Sequence, residues 1–592
     1  MSLKVDVEKV DVLYFSRHDC LLKDLTSDSR ISCTIKEVEE FDQVIQKENP
    51  DVKSNFNSHC FFFLALSYEE TIIYLFRLKE YQNGYIENFK KTRIKLDAFR
   101  KSRNMDSLDS IIMFMDFFIN DFSNTIDVTE KYFTLNDASR NVIYYIDRLS
   151  AVVASMISIN KDESLDKIFR MFPERFLQII INASEYLMSS RLLMPKSDTM
   201  NIFKVIILGI CRHDIFISPY MVSKFINVLQ ILLPIHYPLV SKTNYIIDDL
   251  NMKNHIPKAI MNYYVNVENT GSSNDFYDKF SIRFSINLLL RKLWYNQDAK
   301  EKMIEFSKTS EFIKFINMAL NDVIYLFDEN ISTLKKMKNT QMVINDVSKY
   351  NALTENEQKM RRQELQNSER ILLSMIKLLM QLLKMIVMFT LKIKEPFMKE
   401  ELLDRFTVML NFTFYELSGE NSASIKIDNP EKIGWSPCDI VKNLIHIYIN
   451  LSNEKFIESM AKDERSFDSN KFKSACERLK ETKIPNIELE HMINIIEEAE
   501  SFKRRLQLKE VYYGEIPQKY RDPLMDTLML NPVKLPGGGV MDKHVILRHL
   551  LNSSTDPFNR NYLDESLLVE DVDLKQEIDQ WIMSKHKNMS DQ

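Results

Sequence analysis

Glycine is nearly missing from this sequence, at 9 of 592 residues, against a usual share of about 7%. Proline is scarce as well, at 16. These are the two residues that interrupt helices. Their rarity, beside abundant Leu, Ile, Met, Lys and Glu, leaves little room for turns and argues for a chain that is mostly helix. Cysteine is confined to Cys20, Cys33, Cys60, Cys211, Cys438 and Cys476, with no CxxC pair. That scatter excludes a disulfide framework and a thiolate zinc set, and it fits a reducing intracellular compartment. A dominant charge is also lacking. The 78 Lys+Arg face 84 Asp+Glu, for a formal net of -6, so no broad basic field exists to attract nucleic acid.

Uninterrupted hydrophobic runs are absent too. The first residues, "MSLKVDVEKVDVLYFSRHDC", carry charges every few positions and lack the apolar region of a signal peptide. The most hydrophobic stretch, "ILLSMIKLLMQLLKMIVMFTLKIK" from Ile371, is broken on a helical period: Arg370, Ser374, Lys377, Gln381 and Lys384 form one polar stripe. A membrane span needs about 20 predominantly apolar residues. The expectation is therefore an amphipathic helix packed on its neighbours, in a soluble protein with no membrane partner.

What is present is helix after helix. "FFFLALSYEETIIYLFRLKEY" (Phe61 to Tyr81), "SLDSIIMFMDFFINDF" (Ser107 to Phe122) and "RNVIYYIDRLSAVVASMIS" (Arg140 to Ser158) each carry an apolar face at helical spacing. Similar patterns recur around Ile202 to Cys211, Val222 to Leu233, Phe280 to Trp294, Phe312 to Phe327, Leu402 to Leu417 and Ile440 to Leu451. No fixed repeat unit emerges. A length of 592 residues exceeds a single core, so an irregular α-solenoid is expected, each layer burying its face on the next.

The pattern changes after Glu510. Four of the sixteen prolines (Pro517, Pro523, Pro532, Pro536) and four of the nine glycines fall between Gly514 and Gly539. This shift marks a second domain. "PVKLP", the triplet Gly537-Gly538-Gly539 and "VMD" read as a small β-hairpin with glycine at the turn. A phosphate-binding role for the triplet is disfavoured, because neither GxxxxGK[ST] nor GxGxxG is present. "MDKHVILRHLLNS" then predicts a helix with Asp542 at its N-cap, followed by the loop "SSTDPFNR" and a final helix from about Leu574.

"DPLM" (Asp522 to Met525), Leu528-Met529, Pro532-Val533, Leu535-Pro536, Met541-Asp542 and "TDPFNR" (Thr555 to Arg560) form an ordered series. This series resembles the U-box of the ubiquitin conjugation factors, chain-elongating ubiquitin ligases of the E-four class. "YYVNVENTGSSNDFYDKFSIRFSINLLLRKLW" (Tyr263 to Trp294), "FIKFINMALNDVIYLFDE" (Phe312 to Glu329), "KEPFMKEELLDRFTVMLNF" (Lys394 to Phe412) and "DERSFDSNKF" (Asp463 to Phe472) are similar to that family's helical core, in the same order. Lys534 and Glu570 depart from the family pattern, where an apolar residue and a proline are commoner. Members usually carry a longer N-terminal extension, in which binding to ubiquitin-like shuttle domains is placed.

The resemblance implies an uncertain N-terminal segment (1–58), an elongated armadillo-like helical core (59–510) and a small α+β U-box (515–590). A U-box folds like a RING finger but holds its loops with hydrogen bonds and salt bridges in place of zinc, so no metal and no cofactor are expected. Asn531, Asp542, Asn559 and Glu565 are the candidates for that network. With no cysteine after Cys476, and with structural roles expected for Cys438 and Cys476, the thioester would sit on a separate ubiquitin-conjugating enzyme. The resemblance assigns that enzyme's docking surface to Leu524, Met525 and Asp526 in a first loop and to Pro557 and Phe558 in a second. It assigns Arg560 as a linchpin between the conjugating enzyme and its ubiquitin, although an internal salt bridge with Glu565 is a competing role. Implied partners are the charged conjugating enzyme, ubiquitinated substrates and an AAA ATPase segregase, for a monomer of the cytoplasm and nucleus. The competing class is a non-catalytic helical-repeat adaptor with a degenerate U-box.

Overall fold

The computed structural model describes residues 6–23, 29–48, 50–103, 108–135, 137–157, 159, 162–189, 200–232, 255–267, 275–513 and 516–590. Ser107, Ser158, Leu233, residues 268–274 and the junction 514–515, which belong to the segments named above, lie outside them. The chain divides into two compact units, Met1–Lys302 and Met303–Gln592.

The first unit holds α1 (Ile35–Glu48), α2 (Phe56–Glu80), α3 (Glu87–Arg103), α4 (Asp109–Leu135), α5 (Asp137–Ser155), α6 (Glu163–Met171), α7 (Glu174–Ser189), α8 (Met200–Cys211), α9 (Pro219–Leu232), α10 (Ile256–Asn266) and α11 (Asp275–Leu293). Helical structure thus begins before His59, where apolar periodicity first becomes clear. The reason is composition: half of α1's fourteen residues are charged, and it buries only Val38, Phe41 and Asp42. Ahead of it, Tyr14 and Phe15 insert into an aromatic cluster with Phe62, Phe172 and Phe176, and the Tyr14 hydroxyl lies 2.8 Å from His59 Nδ1. Buried Asp147 on α5 accepts the Asn201 and Ile202 amides at the start of α8. It serves as a cap supplied from another helix.

α12 (Gln297–Phe306) crosses the division. The second unit continues with α13 (Ser310–Asn345), the short α14 (Val347–Asn351), α15 (Glu355–Thr390), α16 (Glu400–Ser418), α17 (Pro437–Leu451), α18 (Glu454–Lys462), α19 (Ser469–Leu479) and α20 (Asn486–Tyr513). α13 and α15 pack along one another, and α15 also packs on α17. α15 is long and apolar enough to cross a membrane. Its Leu372, Ile376, Leu379, Leu383 and Ile386 are nevertheless buried in the unit, while Ser374, Lys377 and Lys384 of the polar stripe are exposed. A capping box between Thr354 and Glu357 starts this helix.

The C-terminal domain begins after α20. β1 (Pro532–Lys534) pairs antiparallel with β2 (Val540–Asp542), as the hairpin reading expects, and also with a two-residue strand β3 (Val569–Glu570). α21 (Lys543–Leu550) follows the hairpin, and α22 (Val572–Ser590) closes the fold. Val533, Leu535, Met541, Val545, Ile546 and Leu563 make one small core. Tyr520, Met529 and Ile578 make a second, against which Leu574 and Trp581 pack. The two departures from the family pattern are absorbed by charge: Lys534 pairs with Asp571 at 3.0 Å and Glu570 with Lys543 at 3.0 Å.

One buried polar chain ties three helices of the second unit together. The Tyr448 hydroxyl donates to Asn411 Oδ1 (2.7 Å), and Asn411 Nδ2 donates to Asp463 Oδ2 (2.9 Å). Asp463 Oδ1 in turn receives the Arg465 and Ser466 amides. Replacing Asn411 with alanine strands a wholly buried hydroxyl and a carboxylate oxygen. Each orphaned group costs about 1–3 kcal/mol, so Asn411→Ala is expected to lower stability by about 2–3 kcal/mol in denaturant titration. A loss below about 1 kcal/mol would show that the chain carries little stability.

Candidate functional site

The C-terminal domain presents two loops built to one plan. In the first, Asp522 Oδ1 accepts the amides of Leu524 and Met525, both at 2.9 Å. The backbone closes with Asp522 N–H to Thr527 O (2.8 Å) and Asp526 N–H to Asp522 O (2.9 Å). In the second, Asp556 Oδ1 accepts the amides of Phe558 (2.8 Å) and Asn559 (3.4 Å). Asp556 N–H then reaches Asn561 O (2.8 Å) and Arg560 N–H reaches Asp556 O (2.9 Å). Bridges Arg521↔Leu528 and Thr555↔Tyr562 clamp the two bases at matching positions. Each loop runs Asp-Pro and ends in a left-handed residue, Asp526 (φ 56°) or Arg560 (φ 63°). Proline holds its own φ near −65° and asks for no amide partner. The aspartate side chain then gathers the next amides, as Asx turns do.

Both loops fasten to the β1–β2 hairpin. Asp522 Oδ2 accepts the Asp542 amide at 2.8 Å. Across the hairpin, Gly537 lies so close to the second loop that a Cβ there would overlap the Asn559 amide and stand 2.9 Å from Asp556 Oδ2. Gly538 adopts φ 89° at the turn, a value that L side chains avoid. The triplet is thus a turn residue beside a close approach. α21 holds the loops from its other side. His549 donates from Nε2 to Thr555 O (2.7 Å), and Arg548 Nη2 lies 3.1 Å from Met525 Sδ.

The residues singled out from sequence fall as follows. Leu524 (52% exposed), Met525 (43%) and Phe558 (51%) project their apolar side chains into solvent, and Pro557 is half-buried. The two loops therefore carry an exposed apolar patch on hydrogen-bonded bases. Asp526 is exposed and pairs with Arg521 at 3.0 Å. Arg560 is exposed, and among the described residues its side chain has no ion-pair or hydrogen-bond partner; the salt bridge with Glu565 is not formed. Asn531 Oδ1 accepts from Lys575 Nζ (2.8 Å), and Asn559 Oδ1 accepts the Asn561 amide (2.9 Å).

Two expectations need correction. Glu565 contributes its backbone carbonyl to a turn, but its exposed side chain makes no bond within the described network. Water solvates a surface carboxylate better than a distant loop can. Asp542 precedes α21 but does not cap it. Its Oδ2 accepts the Leu530 amide (2.5 Å), and its Oδ1 stands 3.2 Å from His544 Nδ1, close enough for an ion pair although off the hydrogen-bond direction. Sequence reasoning missed Asp522 and Asp556, the two buried pins. The repeated Asp-Pro step was the available signal.

His544 gives the domain a pH signature. The Asp542 carboxylate beside it raises its pKa above the ordinary 6.5 despite burial, with Asp404 and Glu400 of α16 adding to the effect. Burial would raise Asp542, but His544 and the Leu530 and Asn531 amides outweigh it and hold the carboxyl below its usual value. A raised histidine stabilises fully below about pH 6.5 and ceases to do so as pH rises through its folded pKa. The lowered aspartate contributes above about pH 4 and fails as pH falls through its folded value. The protection factor of the Leu530 amide, corrected for intrinsic exchange, should therefore be highest between about pH 4 and 6.5 and decline toward pH 8. His544→Gln should flatten that decline. An equal decline in the variant would remove the pair as its cause.

Comparison with known proteins agrees with this construction. Residues 2–500 match the family described as ubiquitin elongating factor core, and residues 516–587 match the U-box domain. The chain is 29% identical to "Ubiquitin conjugation factor E4 ufd-2" of Caenorhabditis elegans, over 75% of this chain and 45% of that protein. It is 28% identical to "E4 ubiquitin-protein ligase UFD2" of Saccharomyces cerevisiae, over 99% of this chain and 65% of the relative. With "Ubiquitin conjugation factor E4" of Schizosaccharomyces pombe it shares 25% identity over 99% of this chain and 59% of the other. The chain thus spans about half to two thirds of the length of these relatives. By a core match that covers most of its length, and by the two-loop domain that follows it, the chain belongs to the ubiquitin elongating factor core family and ends in a U-box.

Proposed function

We propose that this chain is a U-box ubiquitin ligase that elongates ubiquitin chains: it docks a ubiquitin-charged conjugating enzyme and promotes transfer to a lysine on an already ubiquitinated protein. The observation that carries this reading is the pair of carboxylate-pinned loops with Leu524, Met525, Pro557 and Phe558 at their tips. Exposed apolar side chains on fixed backbone form an anchor for another protein's loop at low entropic cost. Chemistry of the chain's own thiols fits poorly. No cysteine lies in the U-box, and burial pushes the Cys476 thiol up to about 12, far from a thiolate nucleophile. The rate gain would come from orientation of a thioester held elsewhere.

A degenerate U-box on a helical adaptor is not favoured, because both pins and both loop tips are intact. Arg560 is suited to the linchpin role: it is exposed, it is free of internal partners among the described residues, and its guanidinium is a planar fork able to bond two proteins at once. Handover to an AAA ATPase segregase, action as a monomer, and residence in cytoplasm and nucleus complete the proposal on the family resemblance alone.

Docking is tested by calorimetry with the uncharged conjugating enzyme. Leu524→Ala and Pro557→Ala should each weaken binding by about 1–2 kcal/mol, roughly 5- to 30-fold in Kd, with an unchanged melting temperature. Unaltered affinity in both variants would remove the loop tips from the interface.

Positioning is tested by single-turnover discharge of the charged enzyme onto free lysine. Arg560→Ala should slow discharge by about tenfold while affinity for the uncharged enzyme stays constant, as for any interaction made only in the reactive geometry. Arg560→Lys should rescue poorly. If binding and rate fell in parallel with a lowered melting temperature, the residue's role would be structural.

A further inference from the structure

Within the second unit, the U-box is fastened to the helical core by a polar clasp. Arg405 on α16 donates from Nη1 to Asn317 Oδ1 (2.9 Å) and from Nη2 to Asn321 Oδ1, both on α13. Arginine has donors only, so it claims both amide oxygens and turns both amide nitrogens the other way. Those nitrogens meet the U-box just past α21: Asn317 Nδ2 donates to Asn552 Oδ1 (3.0 Å) and toward Leu551 O (3.4 Å), and Asn321 Nδ2 donates to Asn552 Oδ1 (3.1 Å). Asn317 is 1% exposed. Beside the clasp the seam is not filled. A cleft of about 170 Å³ opens there, lined by Ile313, Lys314, Glu401, Leu550, Leu551 and Leu563. Directional hydrogen bonds therefore add to the packing of α16 on α21 in setting the orientation at this seam.

We propose that Arg405 and Asn552 are positioning residues that hold the U-box, and with it the docked conjugating enzyme, in one orientation on the core during chain elongation. The inference rests on the U-box ligase reading. The clasp touches neither loop tip; Asn552 lies between α21 and the second loop, and its own side chain is exposed. A fixed frame matters for an acceptor held on the same chain, because holding both reactants raises their effective concentration only if the linkage is stiff. Free lysine arrives by diffusion and needs no frame. The clasp thus separates two reactions that share one active geometry.

The experiment uses the full chain with Asn552→Ala, Arg405→Ala and Asn552→Asp. Each is assayed for discharge of a charged conjugating enzyme onto free lysine and for elongation on a ubiquitin-fused acceptor protein. Asn552→Ala and Arg405→Ala should leave discharge within about twofold while elongation falls about fivefold or more, through kcat and not KM. Asn552→Asp keeps the acceptor oxygen and should retain elongation. Wild-type elongation in both alanine variants would overturn the clasp, and so would a parallel fall of discharge and elongation, which would mean that the loops had been disturbed. A wild-type chain inactive in both assays would instead overturn the ligase reading. Because Asn552 is exposed, its variants test the idea even if Arg405→Ala fails to fold.

Discussion

A carboxylate folded back onto the amides of its own loop is the constraint on which the C-terminal domain rests. Asp522 and Asp556 are almost wholly buried, and each gathers two amides that no strand or helix would otherwise satisfy. Buried amides without partners are costly, and hydrogen bonds to a charged acceptor are worth about 1.5–3 kcal/mol each. Asp522 goes further: its second oxygen takes the Asp542 amide, so the first loop cannot shift without loosening the strand beside it. The second loop is held by contact instead, through Gly537. A larger residue at that position would push the loop away from the hairpin.

Fixing the loops from within frees their tips. Leu524, Met525 and Phe558 are left in water because the chain beneath them is already satisfied and has no route to collapse over them. The left-handed residues show the same division of labour. Asp526 and Arg560 each adopt positive φ, which costs a non-glycine residue about 1 kcal/mol or more. Glycine would suit both backbones better. Asp526 recovers something through its pair with Arg521. Among the described residues Arg560 has no side-chain partner that would offset its backbone cost, which is the physical reason to look for its partner outside.

The helices were legible in the sequence because scarcity of glycine and proline left few ways to misread a 3.6-residue period, and the hairpin was legible because its turn chemistry is local. β3 was not, since two residues carry no period and pair only because α22 brings them back to β1. Asp542 looked like a helix cap because a carboxylate before a helix usually is one; here its tertiary partners, the Leu530 amide and His544, took the side chain first. In the sequence Asp522 and Asp556 are letters of a motif; that the second Asp-Pro loop repeats the side-chain-to-amide bonds inside the first shows only in the fold. Arg405, Asn317 and Asn552 were out of reach, because residues so far apart in sequence leave no shared pattern.

The short helix α21 is where these constraints meet. His549 holds the second loop, Arg548 lies against Met525 in the first, and His544 faces both Asp542 and the acidic start of α16. The chain leaving its C-terminal end enters the clasp through Leu551 and Asn552. The two turns of α21 are joined by i to i−4 bonds along the backbone and move as one short rod. Its faces therefore cannot move independently. A contact that tilts α21 against α16 must carry both loop bases with it, whereas a change confined to a loop tip, such as Leu524, leaves the helix where it is. In the proposed ligase, docking affinity and orientation on the core would then be set by different residues of one small domain.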